Sequence, residues 1–148
     1  MPRLIIGCGN EFRGDDAAGL VIARHIRELN LPEMVVLECP GEGTMLITMW
    51  DGFDDVTLVD AASGMEVGEI MEWNARREPL PSSWNMTSSH YVGIAEAIEL
   101  SRSLGRLPAQ LKVLAIGGGQ FDVGNPLSTE VQRAIKLVVN RLQEYALN

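Results

Sequence analysis

The chain is 148 residues long and carries a formal charge of −8, with 46 % hydrophobic and 22 % charged residues. That balance excludes global disorder, the length leaves room for a single domain over residues 1–148, and the acidity argues against nucleic acid or an anionic membrane as the main partner, since both demand a basic face. No stretch approaches the ~18–20 uninterrupted apolar residues of a membrane helix; the N-terminal apolar run is too short for a signal-peptide core; and Cys8 and Cys39 lack CxxC spacing, so a reduced, cytoplasmic protein is expected; the sequence leaves its oligomeric state open, with a monomer slightly favoured.

In chain order, Leu4–Ile6 is a short apolar run ending in glycines and is predicted as a buried strand. Asp15 to Leu29 follows as a helix with Ala18, Ile22, Ile26 and Leu29 at helical spacing. Met34–Leu37 is a second strand, closed by Pro40-Gly41, and Thr44 to Trp50 a short helix. Val56–Val59 is a third strand ending at Asp60. Glu69–Trp73 alternates weakly among charges, which suits an edge strand, and Pro79–Asn85 is a loop. The next helix runs from His90 to Leu104, with Ile94, Ala97, Ile98 and Leu104 on one stripe and Gly105 as its stop. Leu111–Ile116 is a fifth strand, closed by Gly117-Gly118-Gly119. The last helix spans Ser128 to Leu147, with Val131, Ala134, Ile135, Val138 and Leu142 as its apolar face and an acidic, capped first turn.

Short apolar strands alternating with amphipathic helices imply an α/β fold. A single-domain three-layer sandwich is expected: a mostly parallel, mixed sheet of about five strands, with helices on both faces. Ligands of such sheets bind beyond the carboxyl ends of the strands, which directs attention to residues 7–16, 39–44, 60–63 and 117–124.

The first of these ends reads Gly7-Cys8-Gly9-Asn10-Glu11-Phe12-Arg13-Gly14-Asp15-Asp16. It is glycine-rich but not a phosphate loop. Phe12 stands where a dinucleotide fingerprint needs glycine, no GK[ST] follows, and two carboxylates would repel phosphate. Aspartates at a helix start ordinarily cap N–H groups; two adjacent ones point in different directions, so one can cap while the other faces the cleft. Asp60, closing a buried strand, is costly unless paired, capping a turn or bound to a cation. His90 follows two serines suited to capping, in a first turn that favours neutral imidazole. Its bland reading is a core-edge histidine bonded to backbone. His25, mid-helix among Arg24, Arg27 and Glu28, reads as surface or semi-buried and without a role, and Cys8, near the site, suits a small buried residue better than a soft ligand or nucleophile. Asp16, Asp60 and His90 together offer oxygen and nitrogen donors suited to a borderline divalent metal such as nickel, zinc or manganese, or to acid–base chemistry on water. Met45, Met49, Trp50, Met65 and Met71 suit core packing better than a docking surface.

The pattern Gly7-x-Gly9-Asn10-x-x-x-Gly14-Asp15-Asp16-x-x-Gly19 resembles the N-terminal signature of the hydrogenase maturation endopeptidases. Leu58-Val59-Asp60-Ala61, Ser89-His90 with Gly93, and Leu127-Ser128 match the family's later landmarks in order and spacing. The resemblance implies a peptidase that removes a C-terminal extension from the large-subunit precursor of a nickel–iron hydrogenase once nickel is in place. Asp16, Asp60 and His90 would engage the nickel, brought by the substrate rather than held as a permanent cofactor. The chain departs from the family pattern at Ala17-Ala18, at Pro40-Gly41-Glu42-Gly43-Thr44, in the glycine run at 117–119 and at Pro126. A metal-sensing module on the same scaffold that cuts nothing is the alternative.

Overall fold

The computed structural model describes residues 2–40, 42–86 and 92–147. Strands β1 (Arg3–Cys8), β2 (Met34–Cys39), β3 (Asp55–Ser63), β4 (Ile70–Asn74), β5 (Asn85–Met86) and β6 (Gln110–Gly117) alternate with helices α1 (Ala18–Leu29), α2 (Thr44–Met49), α3 (Ile94–Ser103) and α4 (Thr129–Leu147). The sheet runs β2-β1-β3-β6-β4, with β5 against β3. The pairs β1–β2, β1–β3 and β3–β6 are parallel, whereas β4 and β5 pair antiparallel. The expected mixed α/β architecture is therefore found, with β4 on the predicted edge. β5 is the addition: Asn85 lay in a predicted loop, yet Ser63 and Ala62 pair with Asn85 and Met86. A two-residue strand carries no readable periodicity.

Side-chain alternation divides the core into two apolar layers. On one face Leu4, Ile6, Leu58, Val113 and Ala115 meet Leu46 and Ile47 of α2 and Ile94, Ala97 and Ile98 of α3. On the other, Ile5, Val59, Ala61, Leu114 and Ile116 meet α1 through Ala18, Ile22 and Ile26, and α4 through all five of its predicted apolar residues. Leu29 and Leu104, assigned to apolar stripes from spacing, are instead 41 % and 56 % exposed. Each sits in the last turn or just past it, where the helix has run beyond the sheet. Trp50 is buried, and Met49 and Met65 pack on the α2/α3 layer, while Met45 is exposed. The packing reading therefore holds for those three.

The predicted helix start at Asp15 needs correction. Gly14–Ala17 form a 3-10 turn, and α1 begins at Ala18. Likewise α3 opens at Ile94 with Gly93 at its N-cap, four residues after the expected start. The predicted caps Ser88 and Ser89, and His90 itself, lie outside the described residues.

The β1–turn–α1 unit depends on glycine. A Cβ on Gly7 would lie 2.1 Å from the Gly19 carbonyl oxygen, and one on Gly19 would lie 2.3 Å from the Val59 oxygen and 2.4 Å from that of Cys8. Strand and helix thus approach backbone to backbone, which brings the turn before α1 directly over the ends of β1 and β3.

Candidate active site

Two buried carboxylates lie near one another where β1 and β3 end. Asp60 shares the α2/α3 face with Leu58 and Ala62 by strand alternation, is 2 % exposed, and accepts a hydrogen bond from the Ala61 N–H at 2.8 Å through Oδ1. Asp16, 3 % exposed on the 3-10 turn, accepts from the Asn10 N–H at 3.0 Å through Oδ2, and its carbonyl lies 3.3 Å from the same N–H. Gly9 lies between them. Its φ of +139° is closed to L side chains, and a Cβ there would lie 1.9 Å from the Asp16 carbonyl oxygen and 3.6 Å from Asp60 Oδ1.

Burial pushes the Asp60 carboxyl well above the usual aspartate range, the Asp16 charge adds to it, and the Ala61 N–H opposes it. Two buried like charges near one another favour either protonation of Asp60 or a bound cation. Cys8 and Cys39, register partners on β1 and β2, complete the surroundings and are both buried. The Cys8 thiol is pushed well up by its hydrogen bond with Cys39, by burial and by the charges of Asp60 and Asp16. It is held as neutral thiol, which suits the packing role expected for it rather than that of a nucleophile. Cys39 joins the site as a neighbour of Cys8 and Asp60 beyond the residues expected from the sequence. The signal for it was that both cysteines close adjacent strands.

Asp15 has a different task. Fully buried, it accepts from the Gly119 N–H (2.8 Å), the Gln120 N–H (3.2 Å), the Ser128 N–H (2.7 Å) and the Ser128 hydroxyl (3.1 Å). It ties the 3-10 turn to the glycine-rich loop after β6 and to the entry of α4. The adjacent aspartates do point apart: Asp15 to the α4 side and Asp16 to Asn10, near Asp60. His25 is exposed. Among the described residues no three His, Cys, Asp or Glu side chains are grouped to hold a metal, so Asp16 and Asp60 would need a further donor to do so.

No helix among the described residues is long and apolar enough to cross a membrane. A protein of Methanocaldococcus jannaschii, provisionally named a hydrogenase maturation protease, is 29 % identical over 89 % of this chain and 88 % of its own. The solved structure of a nickel–iron hydrogenase maturation protease from Thermococcus kodakarensis superposes with a TM-score of 0.74, at 24 % identity over 99 % of both chains. An Escherichia coli endopeptidase gives a TM-score of 0.78 at 20 % identity, over 98 % of this chain and 91 % of its own; both share the fold. The sequence profile of the hydrogenase maturation proteases matches residues 21–145, a span that begins after Asp16 and includes Asp60 and His90. With most of its length matched by that profile, the chain belongs to the hydrogenase maturation protease family and is a peptidase.

Proposed function

We propose that this peptidase removes the C-terminal extension of a nickel–iron hydrogenase large-subunit precursor after nickel insertion, and that Asp16, Asp60 and His90 engage the nickel the substrate carries. The observation that carries the reading is the burial of Asp60 beside the Asp16 charge at the carboxyl edge of the sheet. A site that holds two carboxylates at a cost to stability is one that a divalent cation completes. Among the described residues, Met86 pairs with Ala62, two residues past Asp60, and the Val92 carbonyl accepts from the Gly43 N–H at 2.9 Å. The described residues on either side of the histidine are thus anchored at the same edge. In this reading the metal arrives with the substrate, positions the tail, and acts as a Lewis acid on the scissile carbonyl or on a water.

The test incubates the protein with the nickel-loaded and the nickel-free precursor and follows the mass of the large subunit. Trimming of the loaded form alone is expected. Trimming of neither sinks the proteolytic assignment to this substrate, and equal trimming of both sinks the nickel requirement.

A further inference from the structure

A cavity of about 640 Å³ opens at the opposite, amino edge of the sheet, on the α4 side. Arg3, Asp55 and Lys112 start or nearly start their strands there, Glu72 comes from the antiparallel β4, and Arg76 and Arg77 from the turn that follows it. Asp60 lies five residues along β3 from Asp55, about 16 Å of extended chain, so this cavity is separate from the carboxylate pair.

Its charge runs against that of the molecule. The chain has 12 basic residues and a net charge of −8, yet four of those basic residues line this one cavity against two acidic ones. The acidic pair is already engaged: Arg3 Nε lies 3.4 Å from Asp55, and Lys112 Nζ lies 3.4 Å from Glu72, whose carboxylate also accepts from the Tyr145 hydroxyl at 2.7 Å. Arg76 and Arg77 are exposed and make no ion pair among the described residues. The cavity therefore keeps a surplus of two positive charges.

The turn that carries these two arginines is held in place. Arg102 donates to the carbonyls of Ala75 and Arg76 at 2.7 Å each and is itself paired with Glu99 at 2.9 Å. Asn74 Oδ1 accepts from the Arg77 N–H at 3.3 Å, and the Ala75 N–H donates to Leu111 at 3.0 Å. Ile5, Met34 and Leu111 supply apolar wall, and the volume lies in the range of small-molecule sites.

We propose that the amino-edge cavity is a second binding site, for a small phosphate monoester whose dianion lies between Arg76 and Arg77 while its organic body contacts the apolar wall. A monoester carries close to two negative charges at neutral pH, which matches the surplus. Guanidinium forks take phosphate oxygens in pairs, and the volume exceeds what a bare phosphate ion would fill.

Calorimetry on the full chain with glucose 6-phosphate and with AMP is expected to show saturable binding of at least one, weakened as salt is raised. Inorganic phosphate is expected to bind more weakly, and adenosine not at all. The double variant Arg76→Gln, Arg77→Gln should weaken binding about tenfold or more with an unchanged unfolding temperature, because both side chains are exposed. Asp60→Asn should leave the affinity as it was. Absence of saturable binding by either ester up to about 10 mM, equal affinity in the double variant, phosphate binding as tightly as the esters, or binding of a hexaglutamate peptide in place of both esters would each overturn the assignment.

Discussion

Burial of Asp60 at the end of β3 costs the fold stability that the site recovers only when the charge is neutralised. Its pKa is raised in the folded state. Between the ordinary aspartate range and that raised value the native protein holds more protons than the unfolded chain, so stability falls as pH rises through the window. Asp60→Asn removes that slope. In the metal-free protein its unfolding temperature should exceed the parent's at neutral pH by a few degrees, at about 3 °C per kcal/mol for this length, with the gap closing towards about pH 4. Precursor processing should be lost in the same variant. A thermal melt series across pH checks the first outcome and a trimming assay the second. Asp15 shows the opposite economy. Four donors converge on it, so Asp15→Ala should cost about 2–4 kcal/mol, read as a lower denaturant midpoint at constant m-value. The sequence showed that two adjacent aspartates must diverge. It did not show which one, because the partners of Asp15 lie more than a hundred residues away.

At the scale of elements, the contact between β1 and α1 sets the site. Gly19→Ala would push a methyl group into the carbonyls of Val59 and Cys8 and should cost about 3 kcal/mol, measured by chemical denaturation. It should also reduce processing, because the 3-10 turn that carries Asp16 rides on this packing. A second link is weaker. Glu38 at the end of β2 pairs with Arg24 at 3.0 Å and Arg27 at 2.8 Å on α1. These bonds hold its carboxylate below the usual glutamate range. Its contribution is therefore present above that range and is lost as pH falls through the lowered value. With the arginines 42 % and 49 % exposed, Glu38→Gln should lose less than about 1 kcal/mol near neutral pH. The helices and long strands were legible because each repeats its apolar spacing over several turns or residues, as Val131 to Leu142 do in α4. Apart from the two-residue β5, the differences fall at helix ends: Asp15–Asp16 form a 3-10 turn and Leu104 leaves the apolar stripe, since local propensity does not reveal where the sheet stops supporting a helix.

For the molecule as a whole, the two apolar layers carry the fold and the carboxyl edge carries the acidic pair. Asp16→Ala, Asp60→Ala and His90→Ala should each abolish trimming while circular dichroism remains that of the parent, and full activity in all three would mean that the chemistry lies elsewhere. The negative charge acquires a distribution as well: part of it is buried at one edge as Asp16 and Asp60, while the opposite edge gathers a third of the basic residues. By itself the sequence determined the alternation of strands and helices, the mixed sheet with β4 at its edge, and a family signature running from Gly7 to Ser128, because each is written in local periodicity or in fixed spacing along the chain. Only the tertiary structure decided that Asp15 is a tie and Asp16 a neighbour of Asp60, that Cys8 lies beside Cys39, and that Arg3, Arg76, Arg77 and Lys112 share a cavity. Those outcomes depend on sheet register and on contacts between distant segments, which no local pattern encodes.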